Sequence, residues 1–259
     1  MNKLDFNLLK KKDDFMIIDN EKFQIVFTNA EKERSFNRNT EEGVKELNSL
    51  KKEFDVKDII YLKQIHSDKI LKYTAKEKSI KDEEGDAIIT NEKNVIIGVF
   101  TADCVPVILI DEEKQVMAAI HSGWKGTFES ITFKTIEKMK LEFNANESNI
   151  KAYIGPHIKK CCYEVSEELK IKFIDKKKTI NKEELFDGNN LNLEACILDD
   201  LKRAGVKDSN INNLDLCTYC SEDIKLHSYR KSQGSYGRMF SFITLRGKRK
   251  DGKRKSINS

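Results

Sequence analysis

Apolar and polar residues alternate along the chain with two different periods, which divide it into short strands and amphipathic helices. Residues 23–28 and 59–66 alternate as strands do, whereas residues 41–54 carry apolar side chains at helical spacing. The first quarter is therefore predicted as strand, helix, strand. The same rules predict strands at 95–100, 105–110, 116–120, 152–154 and 240–245, and helices at 126–143, 166–173 and 193–204.

The three central strands, 95–100, 105–110 and 116–120, are apolar on both faces. Strands of this kind lie between two covering layers, so a central sheet is predicted. Gly205, directly after the last predicted helix, is typical of a C-terminal helix cap. No repeat, proline-rich linker or low-complexity segment divides the sequence. We therefore predict an α+β fold with a single domain over residues 1–245.

The composition is that of a water-soluble globular protein, because 39% of the 259 residues are hydrophobic and 35% are charged. This balance argues against a disordered or fibrous protein. No apolar run is long enough to cross a membrane, and residues 1–6 lack the apolar core of a secretory signal. We therefore expect a cytoplasmic protein. Because no heptad pattern or long exposed apolar helix is visible, we expect a monomer.

The formal net charge of +4 is small, and the excess of positive charge is concentrated in residues 246–259. We expect this basic segment to be a solvated, mobile tail, with contact to RNA or another polyanion as the alternative. Six cysteines in a chain of this size without a signal peptide are expected to be reduced thiols, metal ligands or catalytic groups rather than a disulfide framework.

One pair of residues in the central strands suggests chemistry. Residues 111–114 form a polar break, and a hairpin folded about its centre places Cys104 opposite His121. Side chains that face each other across an antiparallel pair have Cβ atoms about 5 Å apart, so a thiolate and an imidazole placed in this way can share one metal ion. Pro106, however, indicates a bulge or a sheet edge nearby. His66, at the end of the strand predicted at 59–66, is a candidate third donor. A core cysteine and a hydrogen-bonded histidine are an equally consistent interpretation of these residues alone.

Six groups of residues in a fixed order give a more specific signal than any one of them. This set resembles the YfiH-type family, whose members are also called purine nucleoside phosphorylases, laccase-domain proteins or polyphenol oxidases. The resemblance extends from about residue 23 to residue 245. In chain order the groups are Gln64-Ile65-His66, Gly85-Asp86-Ala87, Thr101-Ala102-Asp103-Cys104-Val105-Pro106, His121-Ser122-Gly123-Trp124-Lys125-Gly126, Ile154-Gly155-Pro156 with Tyr163-Glu164-Val165, and Cys217-Thr218 with Ser228-Tyr229-Arg230 and Gly237-Arg238.

The resemblance implies a four-layer α/β/β/α fold with mixed sheets and a zinc site formed by His66, Cys104 and His121. It also implies phosphorolysis of adenosine, inosine, guanosine and methylthioadenosine to the free base and a pentose 1-phosphate, with adenosine deamination as a side activity. Purine nucleosides and phosphate are then the expected partners. Three protein ligands leave zinc one open position, which is typical of a catalytic rather than a structural site.

Asp103, Cys104 and His121 are the candidate catalytic residues. Asp103 lies next to a metal ligand and is expected to act as an acid or base or to support the ligands. The alternative without a metal is a cysteine hydrolase in which Cys104 is the nucleophile and His121 its base. Metal content distinguishes the two, because a cysteine hydrolase is active without metal and is blocked by alkylation.

Three cationic side chains are candidate contacts for phosphate: Lys125, Arg230 and Arg238. The alternative is that each of them forms an ion pair at the surface. Lys125 stands where family members commonly have arginine, and lysine lacks the two-pronged guanidinium. A second departure is Asn37-Arg38-Asn39, where the family usually has Asn-Leu-Gly. These departures leave the phosphate affinity and the role of the early segment open.

A copper-dependent polyphenol oxidase is a further alternative. Multicopper oxidases hold a trinuclear cluster and a blue-copper centre mainly through histidines, and this chain has only four histidines. A single copper ion in the pocket of His66, Cys104 and His121 is the remaining copper hypothesis.

The other cysteines give a weaker signal. Cys217 and Cys220 form a Cys-x-x-Cys pair, which begins a zinc ribbon only if a second pair lies at similar spacing. Cys161 and Cys162 are adjacent in the sequence and are poorly disposed to supply that pair. We therefore predict reduced thiols at these positions. His157, which follows Gly155-Pro156, is predicted to lie on a turn rather than in the pocket.

Overall fold

Two mixed β-sheets, each with helices on its outer face, form the framework of the chain. A computed structural model describes residues 1–4, 9–76, 80–234 and 237–247. The predicted mobile tail at 246–259 falls outside these ranges from residue 248 onward.

The helices and strands follow the predicted order closely. In chain order the described strands are β1 Asn2–Lys3, β2 Lys10–Lys12, β3 Phe15–Asp19, β4 Phe23–Thr28, β5 Asp58–Ile60, β6 Ile70–Lys72, β7 Ala87–Thr90, β8 Val95–Thr101, β9 Val105–Asp111, β10 Val116–Ser122, β11 Ile150–Ile154, β12 Phe186–Asp187, β13 Asn190–Leu191, β14 Ile211–Asn213 and β15 Met239–Leu245. The described α-helices are α1 Glu41–Glu53, α2 Trp124–Phe128, α3 Ile131–Phe143, α4 Glu167–Lys176, α5 Lys182–Leu185, α6 Leu193–Arg203 and α7 Tyr229–Ser232.

Parallel and antiparallel pairs occur in both large sheets. Within the described ranges, one sheet has seven strands in the order β1-β14-β11-β9-β10-β7-β6, and the other has six in the order β2-β3-β4-β15-β8-β5. The antiparallel pair of β9 and β10 lies inside the first sheet, and β8 pairs with β15 inside the second. The chain therefore crosses from one sheet to the other in the bend between β8 and β9.

Three apolar clusters define the layers. Helices α3 and α6 pack on the outer face of the seven-stranded sheet, where Ile136 and Ile197 contact its strands. The two sheets face each other through side chains such as Ile97 and Ile108. Helix α1 covers the outer face of the six-stranded sheet with Leu47 and other residues. The predicted four-layer α/β/β/α arrangement with mixed sheets is confirmed.

The ends of the helices follow ordinary capping chemistry. The Thr40 side chain accepts a hydrogen bond from the Gly43 N–H at the start of α1. Gly205, with φ +91°, follows α6 as the sequence predicts. The single helix predicted at 126–143 is wrong, because Ser130 adopts a left-handed conformation with φ 58° and separates α2 from α3.

The strand predicted at 59–66 is also wrong beyond Ile60. Strand β5 pairs with β8 only as far as Ile60, which lies opposite Ile97. Further along β8, the backbone hydrogen bonds that a longer β5 would make are made by the Gln64 side chain. Its amide donates a hydrogen bond to the Phe100 carbonyl at 2.9 Å and accepts one from the Phe100 N–H at 2.7 Å. The segment after Gln64 is thereby free to turn away from the sheet.

Pro106 lies in an interior strand, so the predicted sheet edge is wrong. Strand β11 ends at Ile154, and the next residue, Gly155, donates its N–H to the Pro106 carbonyl at 3.0 Å. The proline nitrogen, which has no hydrogen to donate, therefore faces the end of the neighbouring strand rather than its middle.

None of the helices in the described ranges combines the length and the apolar character needed to cross a membrane. The cytoplasmic location and the monomeric state stay predictions from the sequence.

Candidate active site and metal centre

His66, Cys104 and His121 come together at one end of the two sheets. Each contributes one ligand atom, and these three atoms lie within 4.8 Å of one another. His66 comes from the segment after β5, Cys104 from the bend between β8 and β9, and His121 from the end of β10. His66 is exposed, Cys104 is half-buried and His121 is buried, so the cluster faces solvent on one side.

The register that the sequence suggested for this hairpin is wrong by two residues. His121 pairs with Pro106, and Cys104 precedes the first residue of β9. The turn extends to Gln115, which has φ 54°, and the Asp111 side chain caps it by accepting the N–H groups of Glu113 and Lys114. A shift of two residues keeps every side chain on its face of the sheet. Cys104 therefore still reaches His121.

Asp86 organises the histidines and is buried beneath them. Its Oδ1 accepts from the His66 N–H at 3.0 Å and lies 2.8 Å from His121 Nδ1. Its Oδ2 accepts from the N–H groups of Ile65 and Ser67 and from the Ser67 hydroxyl. Burial raises the pKa of this carboxyl, but the bonds from His121 and Ser67 outweigh burial and lower it. With Nδ1 occupied by Asp86, His121 presents Nε2 to a metal.

The backbone around the cluster is shaped for close approach. His66 has φ 58° and Asp103 has φ 104°, which are uncommon values for residues other than glycine and are typical of functional sites. Gly123 is required for space, because a Cβ there would lie 2.9 Å from His66 Cδ2 and 3.0 Å from Cys104 Sγ. Any side chain at position 123 would therefore occupy the space between His66, Cys104 and His121, which glycine leaves open.

Cys104 and His121 form a charged pair. Burial raises the pKa of the Cys104 thiol, but the positive charge and hydrogen bonds of His121 and His66 outweigh it and lower the pKa to about 6. Burial lowers the pKa of His121, but the Cys104 thiolate and Asp86 raise it to about 9. A thiolate is therefore available at neutral pH, as metal binding and nucleophilic attack both require.

A cavity of about 460 Å³, large enough for a small organic ligand, lies next to Trp124, although none of His66, Cys104 and His121 lines it. Trp124, which follows Gly123, forms one wall. Burial raises the pKa of Tyr163, and the negative charge of the Cys104 thiolate raises it further. Together they bring the pKa of Tyr163 to about 12. The lining residues are Trp124, Tyr163, Glu164, Val165, Ser166, Leu169 and Arg230.

The structure gives Asp103 a positioning role. Its Oδ1 accepts from the Thr218 hydroxyl at 2.6 Å, and its Oδ2 accepts from the Arg230 N–H at 2.7 Å. Its carbonyl accepts from the Ile158 N–H at 2.9 Å. With both carboxylate oxygens engaged, Asp103 ties together the segments that carry Cys104 and Arg230, which favours the supporting role over that of acid or base.

The three candidate cations occupy different places. Arg230 lines the cavity, stacks on Tyr163 with its guanidinium carbon 5.2 Å from the ring centroid, and donates to the Glu164 carbonyl. Lys125 is exposed, with Nζ 5.5 Å from the Trp124 ring centroid. Arg238 lies before β15 and donates its N–H to the Ser35 hydroxyl. Only Arg230 of these three belongs to the cavity lining.

Sequence reasoning missed Asp86 and Tyr163 as functional residues. Both lie within the motifs that carried the family resemblance, and Asp86 directly precedes the buried strand β7. A buried carboxylate at the mouth of an apolar strand was the available signal. The two remaining histidines lie elsewhere. His157 is fully buried and does not line the cavity, but the turn predicted for it is wrong, because it forms an isolated parallel bridge with Cys217. Its Nε2 lies 3.4 Å from Glu194, and His227 bonds to the Arg34 carbonyl.

The family model described as "Multi-copper polyphenol oxidoreductase laccase" matches residues 24–246. The chain belongs to this family. A relative from Clostridium acetobutylicum, named purine nucleoside phosphorylase, is 48% identical over 237 residues, which are 91% of this chain and 98% of that protein. A relative of the same name from Aquifex aeolicus is 38% identical over 195 residues, which are 75% of this chain and 87% of that protein.

Solved structures of this family have the same fold. The Bacillus licheniformis hypothetical protein YfiH has a TM-score of 0.83 at 23% identity, over 93% of this chain and 100% of that chain. YlmD from Geobacillus stearothermophilus has a TM-score of 0.81 at 21% identity, over 93% of this chain and 99% of that chain. The family resemblance and the fold class predicted from the sequence are thus confirmed.

Proposed function

We propose that this chain is a zinc-dependent purine nucleoside phosphorylase. Its substrates are adenosine, inosine, guanosine or methylthioadenosine with phosphate, and its products are the free base and a pentose 1-phosphate. Adenosine deamination is a side activity. The observation that carries the proposal is the convergence of His66, Cys104 and His121 near a cavity with aromatic walls and an arginine. The names of the relatives from Clostridium acetobutylicum and Aquifex aeolicus agree with it.

The donor set fits zinc. Two imidazoles and one thiolate are ligands that zinc prefers, and Asp86 fixes the His121 ring as carboxylates do in zinc sites. The space that Gly123 leaves open gives the three donors room to face one ion. Zinc held by His66, Cys104 and His121 would supply a Lewis acid, because three protein donors would leave it able to bind one further ligand.

The cavity residues account for substrate binding. The ring of Trp124 offers a surface on which a purine base stacks, a contact worth about 1–3 kcal/mol per base. Because the pKa of Tyr163 is about 12, its hydroxyl stays protonated at neutral pH and donates a hydrogen bond to a ring nitrogen of the base. Arg230 supplies positive charge for phosphate, and Asp103 holds the Arg230 backbone in place.

The reaction that these residues serve is a displacement at the sugar. A phosphate oxygen attacks the anomeric carbon, the bond to the purine nitrogen breaks, and its electron pair leaves with the base, which takes up a proton. Tyr163 stabilises the departing base through its hydroxyl, and Arg230 orients the phosphate. In deamination, water adds to the ring carbon that bears the amino group, and ammonia leaves.

The deciding experiment combines metal analysis with product analysis of inosine and adenosine incubated with phosphate. We expect zinc in the purified protein and phosphate-dependent release of free base. His121→Ala abolishes that release, whereas the control His227→Gln, which alters a histidine outside the cluster, retains it. Turnover that is unchanged in His121→Ala contradicts the proposal.

Two specific observations favour other functions. The family is described as one of multi-copper polyphenol oxidoreductases, which oxidise phenols with copper, yet within the described residues a single group that contains histidine could hold a metal, namely His66, Cys104 and His121. Copper in the purified protein together with phenol oxidation would support that function. The Cys104 thiolate paired with His121 suits a cysteine hydrolase, which would keep its activity after metal removal and lose it on alkylation.

A further inference from the structure

A second cluster of metal-ligating side chains lies outside the candidate active site. The sulfur atoms of Cys161, Cys162, Cys217 and Cys220 all lie within 4.8 Å of one another. Cys161 Sγ and Cys220 Sγ are 3.6 Å apart, and all four cysteines are free thiols. The prediction that Cys161 and Cys162 are poorly disposed to join Cys217 and Cys220 is therefore wrong.

The sheet topology brings the two pairs together. Strands β11 and β14 are parallel neighbours, so the segments that follow them leave the sheet at the same edge. Those segments stay in contact, because the His157 N–H donates to the Leu216 carbonyl and the Thr218 N–H donates to the His157 carbonyl. Residues 161–162 lie on the turn that follows His157, Cys217 forms the bridge with His157, and residues 218–220 lie on the turn after it.

The sulfur spacing suits one tetrahedral ion. Zinc–sulfur bonds of about 2.3 Å in a tetrahedron place the sulfurs about 3.8 Å apart. The Cys161–Cys220 distance of 3.6 Å and the upper limit of 4.8 Å for all four sulfurs lie on either side of this value. A disulfide requires sulfurs at about 2.05 Å. A cluster of several iron and sulfide ions needs more room than four sulfurs this close leave.

The peptide groups around Cys217 favour a thiolate. The peptide N–H groups of Lys159, Cys220 and Tyr219 face the Cys217 sulfur. Hydrogen bonds from the backbone to ligand sulfurs are the usual outer support of a metal–thiolate site.

We propose that Cys161, Cys162, Cys217 and Cys220 bind one zinc ion in a closed site with four thiolates, distinct from the candidate active site. Four protein ligands leave no position for substrate, so the ion has a structural role. The site joins two turns at the surface, where Cys161 and Cys220 are exposed.

This ion would hold both sides of the candidate active site. Tyr163, a wall of the cavity, directly follows Cys162. Thr218, which donates to Asp103, lies between Cys217 and Cys220. The four-cysteine site therefore fixes the turn that carries Tyr163 against the turn that supports Asp103, beside Cys104.

The test counts zinc ions per chain in protein purified under reducing conditions. The double variant Cys161→Ser/Cys220→Ser removes two exposed ligands, and Cys196→Ala is the matched control because Cys196 is a buried core residue outside the cluster. We expect the double variant to contain one zinc fewer than the wild type and to melt several degrees lower, whereas Cys196→Ala keeps the full zinc content.

The variant His121→Ala separates this inference from the proposed function. If the four cysteines bind zinc, His121→Ala retains one zinc per chain whether or not the active site holds metal. Loss of all zinc in His121→Ala would overturn the inference, as would an unchanged zinc content in the double serine variant.

A second measurement does not depend on the folding of any variant. When a thiol-specific reagent is added to the wild-type protein, we expect zinc release to accompany modification of these four cysteines, identified by peptide mass spectrometry. Modification without zinc release, or disulfides among the four cysteines in freshly purified protein, would overturn the inference.

Discussion

Replacing Asp86 with asparagine tests whether the buried carboxylate sets the geometry of the metal centre. If the amide nitrogen takes the place of Oδ1, it faces the His66 N–H and His121 Nδ1; in the place of Oδ2, it faces the N–H groups of Ile65 and Ser67. Either orientation leaves two buried groups without an acceptor. At about 1–3 kcal/mol for each, Asp86→Asn destabilises the fold by about 2–6 kcal/mol.

The effect on the metal follows from the tautomer of His121. With the amide nitrogen in the place of Oδ1, the ring can satisfy Nδ1 only by moving its proton to Nε2, which blocks the donor atom. With the amide nitrogen in the place of Oδ2, the amide oxygen faces Nδ1 and is a weaker acceptor than the carboxylate. Loss of such a carboxylate partner typically weakens metal binding by about 10–100-fold. We therefore expect a weaker zinc affinity of this order in Asp86→Asn.

Competition with a chromophoric chelator measures that affinity, and urea unfolding measures the stability. Asp82→Asn is the matched control, because the Asp82 side chain is 99% exposed and pairs only at the surface with Arg38. Zinc affinity in Asp86→Asn within a factor of three of the wild type would refute the reasoning about the tautomer.

Three further predictions follow. Gly123→Ala places a Cβ against His66 and Cys104, so we expect loss of the active-site zinc and of turnover; normal zinc content by metal analysis would contradict this. Burial raises the pKa of Glu194, but His157 and Lys159 lower it to about 2, so its stabilisation is present above pH 4.5 and is lost as the pH falls toward 2. Measured by urea unfolding, the free energy of unfolding of the wild type should fall over that pH range by up to about 3 kcal/mol more than that of Glu194→Gln. Equal decreases in the two proteins would refute this prediction. In metal-free protein, Cys104 alkylation by iodoacetamide, followed by peptide mass spectrometry, should rise with a midpoint near pH 6; a midpoint near the ordinary thiol pKa would disprove the pairing with His121.

The central strands were predictable because burial on both faces leaves a continuous apolar run. The limits of β8, β9 and β10 agree with the sequence within two residues. The errors arose where a side chain substitutes for backbone structure. Gln64 replaces a strand by pairing with Phe100, and Asp111 caps a turn that extends one residue beyond the polar break. Periodicity does not register contacts of this kind.

The metal centre was predictable from residue types and the family motifs, whereas its support was not. Asp86 acts through hydrogen bonds to residues about 20 and 35 positions away, which spacing along the chain does not reveal. The four-cysteine cluster was missed for a similar reason. Its two pairs are separated by more than 50 residues and meet only because β11 and β14 are parallel neighbours.

The three donors of the candidate metal centre come from both sheets. His66 lies on the connection from β5 of the six-stranded sheet to β6 of the seven-stranded sheet, and Cys104 lies in the bend from β8 to β9, which also joins the two sheets. His121 is the penultimate residue of β10 in the seven-stranded sheet. A bound ion is therefore a crosslink between the two halves of the sandwich. Sliding one sheet past the other changes the distances between the donors, so metal affinity reports how the interior between the sheets is packed. We therefore expect substitutions at Ile97 or Ile108, which lie between the sheets and are not ligands, to change the affinity for the metal.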